Sequence, residues 1–301
     1  VPESTPILCF GELLWDCLPA GLFAGGAPFN VGYHLHQQGA EVRIVSASGS
    51  DFLGGELDRR MRAWGLTTDL IARHRDLPTG TVIATLGEAG DARYEITPDV
   101  AWDQIPVTGE VANAAVSAQA IVFGSLAQRS PANRTALDQL LALLPATALR
   151  AFDVNLRAPH DDLPRVRELA RQASLLKLNA AEAARIADGG SEAAGREESD
   201  ARTLAAETGA PLICITAGAR GAGLLRNGTW TWEPGRTVAV ADTIGAGDSF
   251  LAALLNGLLG PAPLPDAEVL ASACRVGEWV ATQRGATPAY DSSAPFRGAN
   301  R

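Results

Sequence analysis

Lysine is all but missing from this chain. Lys177 is the only one in 301 residues, and it follows Ser174-Leu175-Leu176 where a Walker phosphate loop would need a glycine-rich run. The Val-Ala-Ile-Lys element of protein kinases is excluded on the same ground. Cysteine is scarce as well. Cys9, Cys17, Cys214 and Cys274 are scattered with no CxxC pair, which points to reduced thiols and away from disulfides or thiolate metal sites. Of the four histidines, His34 and His36 lie two apart, which turns them away from each other on a helix, so zinc is not expected. Basic residues are outnumbered 25 to 34, for a formal charge of -9. That balance disfavours a general nucleic-acid or anionic-membrane binder, although a local cationic pocket for a small anion stays open. No apolar run approaches the roughly 18 residues that span a bilayer. The most apolar stretch, 250–259, is interrupted by Asn256 and Gly257. The N-terminal stretch shows neither a basic segment nor a long apolar one, so no signal peptide is visible and a cytoplasmic location is expected.

What the chain does have is regular alternation. Apolar runs at 7–14, 42–47, 120–123, 149–153, 175–178 and 212–216 read as buried strands, with helical segments between them. Glycines 25 and 26 lead into a helix with Pro28 in its first turn, ending near Gly39, and Asp51 is placed to cap a helix that runs to about Gly65. Such spacing predicts a mostly parallel sheet covered on both faces. The β-rich runs 81–86 and 91–96, separated by Glu88-Ala89-Gly90, read as a hairpin leaving that layer. A second hairpin is predicted for 223–225 and 230–232 through Asn227-Gly228. Helices over about 246–259 and 266–283 finish the pattern, and 189–200 reads as a polar loop. The expectation is one α/β unit over 1–301 with a small β lid, drawn mainly from about 12–24 and 69–98.

The strongest chemical signal is Asp242-Thr243-Ile244-Gly245-Ala246-Gly247-Asp248, opening an apolar helix. Glycines at a helix start free backbone N–H groups for an anion, and the helix dipole favours negative charge there. Asp248 is oddly placed in such a site, because a carboxylate competes with a phosphate for the same donors. It makes sense as a base for a hydroxyl that attacks the phosphate. It makes equal sense as a helix cap, and local chemistry leaves both readings open. Gly245-Ala246-Gly247 is not a dinucleotide fingerprint, since Phe250 stands where the third glycine or alanine belongs.

The run DTIGAGDSF resembles the C-terminal signature of the ribokinase-like (PfkB) carbohydrate kinases. Further segments fit that family in its order: Gly25-Gly26-Ala27-Pro28-Phe29-Asn30, Gly49-Ser50-Asp51-Phe52-Leu53-Gly54, Asn179-Ala180-Ala181-Glu182 and Thr216-Ala217-Gly218-Ala219-Arg220-Gly221. The resemblance implies a ribokinase-like three-layer fold and an ATP-dependent sugar kinase, with Asp248 as base and Gly245, Ala246 and Gly247 around the transferring phosphate. It implies that Asp16, Gly26 and Asn30 meet the sugar, and that Arg157 faces the substrate and the phosphate in transit. Asp16 otherwise reads as a turn residue, Gly26 and Asn30 as a helix entry, and Arg157 as a surface ion-pair partner. Asn179 and Glu182 would hold hydrated Mg²⁺ and the nucleotide phosphates, although i, i+3 spacing at a helix start also describes a capping arrangement. Thr216, Gly218 and Gly221 would hold the nucleotide. The resemblance further implies a potassium site at Asp242 and Ile244 with carbonyls near Gly285, and a homodimer through the lid.

The sugar is read from resemblance alone. Gly11-Glu12-Leu13-Leu14-Trp15-Asp16, Pro78-Thr79-Gly80, Ala101-Trp102-Asp103 and Phe123-Gly124-Ser125-Leu126-Ala127-Gln128-Arg129 resemble fructokinases, although Trp102 also suits a core. The alternatives are ribokinase and 2-keto-3-deoxygluconate kinase, whose carboxylate substrate would need a cation such as Arg73, Arg75 or Arg93. Many members place an asparagine near adenine where Ala271-Ser272-Ala273-Cys274 has none, which leaves ATP expected and purine selectivity open. A binding protein that had lost the chemistry should lack Asp248 or the glycine turn, and both are present.

Overall fold

A computed structural model describes residues 5–18, 21–86 and 92–296. The first third comprises β1 (Ile7–Phe10), β2 (Leu14–Leu18), β3 (Gly21–Gly25), α1 (Ala27–Gln37), β4 (Val42–Gly49), α2 (Phe52–Ala63), β5 (Ile71–His74), β6 (Gly80–Leu86) and β7 (Ala92–Ile96). The middle follows with α3 (Gly109–Val116), β8 (Ala120–Gly124), α4 (Pro131–Leu143), β9 (Leu149–Asp153), α5 (Leu163–Ala170), β10 (Leu175–Asn179), α6 (Ala180–Ala187) and α7 (Glu197–Thr208). Then come β11 (Leu212–Thr216), β12 (Gly221–Arg226), β13 (Thr229–Pro234), α8 (Ala246–Leu258) and α9 (Asp266–Ala281).

β1 is apolar at every position because both of its faces are covered. Leu8 and Phe10 enter a core beneath the α3–α7 side, while Ile7 and Cys9 enter a second core shared with α1, α8 and α9. The same parity runs through β8, β10 and β11, so the central strands lose the polar alternation of a half-exposed sheet. Nine strands make the large sheet in the order β13-β12-β11-β10-β9-β8-β1-β4-β5, antiparallel only where β12 and β13 join. Four more, β3-β2-β6-β7, make the small sheet. The three-layer α/β fold with its small β sheet is therefore present as expected.

Several boundaries differ from the sequence reading. The predicted strand 7–14 is two strands, because Gly11 has φ 149 and lies against Pro28, which turns the chain out of the large sheet into the small one. The stretch 69–98 is not all lid: Ile71–His74 pairs in parallel with β4 at the edge of the large sheet. That strand completes the crossover through α2, whose cap is Asp51 as expected. The turn at 88–90 lies outside the described residues. The polar segment 189–200 already contains the start of α7, where Glu197, Glu198 and Asp200 in the first turn suit the helix dipole. The late hairpin is as predicted, with Asn227 and Gly228 both at positive φ.

The fructokinase-like segments turn out to bond to one another. Arg129 donates to both carboxylate oxygens of Asp103 at 2.8 Å and to the Thr97 carbonyl at 2.7 Å, and its guanidinium lies over Trp102. Gly80 exists to admit that indole, since a Cβ there would sit 2.2 Å from Trp102 Nε1. Next to it, Thr79 is held by Asp51 through its N–H and hydroxyl at 2.8 and 2.6 Å. Trp102 is fully buried, so the core reading is the right one. Together these residues brace the small sheet against the large one. Breaking a buried charge pair leaves its partner uncompensated. Arg129→Met is therefore expected to destabilise the protein by about 3 kcal/mol, read as a lower urea midpoint.

Candidate active site

The strand order reverses direction beside β1, with β4 and β5 on one side and β8 onward on the other. Ligands in such sheets bind beyond the carboxyl ends of the strands at that point. Asp153, Asn179 and Thr216 stand at the ends of β9, β10 and β11. Two helices start above them. α1 begins after Gly26 and α8 after Gly245, each glycine at positive φ with no side-chain cap.

Neither glycine can be replaced without movement. A Cβ at Gly26 would meet the Glu12 carbonyl at 2.1 Å, and one at Gly245 would meet Ala286 Cα at 2.7 Å. Within the first turn of α8, Ala246 N–H is taken by the Thr243 carbonyl at 3.3 Å. Gly247 and Asp248 N–H are then the helix-start donors with no carbonyl a turn behind them in the helix. The expected anion site thus rests on 247 and 248 more than on 246.

Asp248 lies in that turn, partly buried, with Asn30 Nδ2 donating to its Oδ2 at 2.8 Å. Burial pushes its carboxyl up to about 6, and the negative charge of Asp153 acts the same way. Lys177, the Asn30 hydrogen bond and Arg157 pull in the other direction. Asp16 projects from β2 into space that Gly25 leaves open, since a Cβ at 25 would be 2.3 Å from Asp16 Oδ2. Burial and the charge of Asp248 raise Asp16 to about 6. Arg157 is exposed, and its charge acts on Asp16, Glu12 and Asp248. The structure therefore gathers Asp16, Gly26, Asn30, Arg157 and Asp248 at one place.

Asn179 and Glu182 form a reciprocal capping box. Asn179 Oδ1 accepts from Glu182 N–H at 2.8 Å, and Glu182 Oε2 accepts from Asn179 N–H at 3.0 Å. Glu182 Oε1 also accepts from Leu156 N–H at 2.7 Å, which ties α6 to the loop carrying Arg157. The capping reading of this pair is therefore correct as geometry. Thr216, Gly218, Gly221, Ala246 and Gly247 line a cavity of about 380 Å³ with Phe250, Cys274 and Gly277. Asp242 accepts from Ile244 N–H at 3.0 Å and Gly285 N–H at 3.2 Å, so it clasps the two loops expected near a cation.

Two features went unread in the sequence. Glu12 is buried with Oε1 accepting from Ala27 N–H at 3.2 Å, a carboxylate at the α1 start supplied from a different element. Burial raises it to about 7. Lys177 is buried and ion-paired with Asp153 at 3.0 Å. Its signal was available, a single charged side chain inside the apolar run Leu175–Asn179.

Residues 7–292 match the model of the pfkB family carbohydrate kinases. The chain belongs to this family. A sugar kinase of Pyrococcus horikoshii, PH1459, is 28% identical over 242 residues, covering 78% of this chain and 73% of that relative. The probable fructokinase-5 of Arabidopsis thaliana is 25% identical over 316 residues, 97% of this chain and 96% of that one. The crystal structure of PH1459 in complex with ATP superposes with a TM-score of 0.79 at 26% identity, over 93% of this chain and 94% of that one.

Because the Asn30 hydrogen bond lowers the Asp248 pKa, Asn30→Ala is expected to raise it further above about 6. Carboxyl-carbon NMR titration of the two proteins reads the difference.

Proposed function

We propose that this carbohydrate kinase transfers the γ-phosphoryl group of ATP in line to the O6 hydroxyl of fructose, with Asp248 as the base. The observation that carries the reading is the placing of the Asp248 carboxylate, held by Asn30, between the Asp16–Gly26 end of the site and the cavity bordered by Ala246 and Gly247. ATP in that cavity directs its phosphates toward the start of α8, where the Gly247 and Asp248 N–H groups and the dipole favour the charge that develops in transfer. Asp16 accepts hydrogen bonds from sugar hydroxyls, and Arg157 supplies a cation toward the phosphate in transit. Asp248 accepts the hydroxyl proton as the new P–O bond forms and ADP leaves. Closure of the small sheet over the sugar excludes water that would otherwise hydrolyse ATP.

Fructose as acceptor is supported by curated relatives named fructokinases at about 25% identity, such as the Arabidopsis protein over nearly the whole chain. The segments 78–80, 101–103 and 123–129 resemble those of fructokinases, and Thr79, Gly80, Trp102, Asp103 and Arg129 within them also brace the two sheets. Among the basic residues considered for a carboxylate substrate, Arg73 lies on β5 and donates to Ser48 at 2.9 Å, Arg75 is exposed, and the Arg93 side chain is outside the described residues.

Mg²⁺ fits the donor set as a hydrated ion. Each Glu182 oxygen is engaged by one backbone N–H and keeps a second lone pair, and Asn179 is exposed. These two residues would hold its waters, and the ion would neutralise phosphate charge. A potassium ion would sit by Asp242 and Ile244 with carbonyls near Gly285. A homodimer would form through the small sheet, where β3 and β6, on either side of β2, expose Leu22 and Ile83. No helix among the described residues is long and apolar enough to cross a membrane.

Asp248→Asn is expected to keep sugar binding and lose turnover by about a hundredfold or more, measured as ADP formation across a panel of sugars. Near-normal turnover would sink the assignment. For the native protein, kcat/KM should fall as pH drops through about 6, because the base is lost on protonation. A flat profile between pH about 5 and 8 would contradict a titrating carboxylate base.

A further inference from the structure

Of 25 lysines and arginines, one is lysine, and it is the cation set deepest beneath the glycine turn. Lys177 on β10 and Asp153 on β9 are direct register partners on neighbouring parallel strands. Both side chains follow the parity of Leu175 and Ala151, which pack into the core on the α8 side. Lys177 Nζ lies 3.0 and 3.1 Å from the two Asp153 oxygens, and both residues are buried. From the other direction, a Cβ at Gly247 would stand 3.2 Å from the same Nζ. The ammonium is therefore lodged between two strand ends and the backbone of the first turn of α8.

We propose that the Asp153–Lys177 ion pair is a positioning pair for phosphoryl transfer, setting the seat and the charge environment of Asp248. This rests on the kinase reading above. Size explains the choice of lysine. An arginine fork needs room for a planar group with five donors, whereas the gap under Gly247 admits only a compact ammonium. Charge gives the pair its second role. A lone ammonium at a helix start opposes the dipole, and Asp153 offsets that opposition. Burial works against the Lys177 charge, and the Asp153 carboxylate at 3.0 Å is the partner that offsets it. The groups facing Asp248 are Asp153 from β9, Lys177 from β10, Asn30 from α1, Arg157 from the loop after β9, and Glu12 and Asp16 from the chain after β1. Lys177 and Asp153 act on Asp248 with opposite sign, so removing one or the other has distinguishable consequences.

The test measures kcat and KM against pH for Lys177→Met, Asp153→Asn and the double variant, with the best acceptor from the sugar panel. Lys177→Met is expected to move the acid limb of kcat/KM upward, and Asp153→Asn downward, each by about half a unit or more. The double variant restores the limb toward its native position while kcat stays about tenfold low, because nothing then holds the turn. It also replaces the buried pair by neutral groups, so it carries the test if Lys177→Met does not fold. Unmoved limbs with near-native kcat in the folded variants would overturn the proposal. So would a raised KM for ATP at unchanged kcat and limb, which would make Lys177 a nucleotide ligand only. An inactive Asp248→Asn beside such results leaves the base assignment standing, whereas an active Asp248→Asn removes that assignment whatever Lys177 does.

Discussion

Asn30 and Asp248 are 218 positions apart in the chain and joined by a 2.8 Å hydrogen bond. That contact fixes two helix starts against each other. Both helices begin at glycines whose Cβ positions are already occupied by backbone, so neither turn can drift without a collision. Each start carries partial positive charge, and the carboxylates of Glu12 and Asp248 supply the balancing negative charge. The electrostatic arrangement thus follows from packing. Two unfilled helix starts are brought together, and acids are placed where their charge is most favourable.

The acids in turn repel one another. Burial raises Glu12 to about 7, and Asp16 and Asp248 to about 6, with mutual repulsion adding to the effect. The exposed Arg157 limits that rise at all three, and the buried Lys177 limits it at Asp248. A carboxyl balanced in this way is a usable base near neutral pH, since it is mostly ionised yet readily protonated. Breaking the balance at any one member shifts the others, which is why single substitutions in such a cluster are not additive.

The brace between the two sheets shows that segments which resemble those of a family can also serve the architecture. Thr79, Gly80, Trp102, Asp103 and Arg129 come from three segments that look like isolated motifs in the sequence. In space they form a cation–aromatic stack, a bidentate ion pair and a glycine clearance that only work together. The Asn179–Glu182 pair is similar. Its spacing suited both a cap and a magnesium site, and the structure shows a complete capping box.

The sequence by itself determined the layer order, the strand and helix types, the late hairpin and the glycine turn before Asp248. These depend on local periodicity and on backbone conformations that few residues adopt. It also carried the Asp16, Gly26, Asn30 and Asp248 set, though only through its likeness to a family. Tertiary structure alone decided that β5 joins the large sheet, because an edge strand is chosen by what its neighbours leave unpaired. It alone showed that Lys177 faces Asp153 and Gly247, since register between β9 and β10 is a long-range property. The same holds for Glu12 at the head of α1. A charged residue in an apolar run announces that it has a partner, and only the fold can say which one.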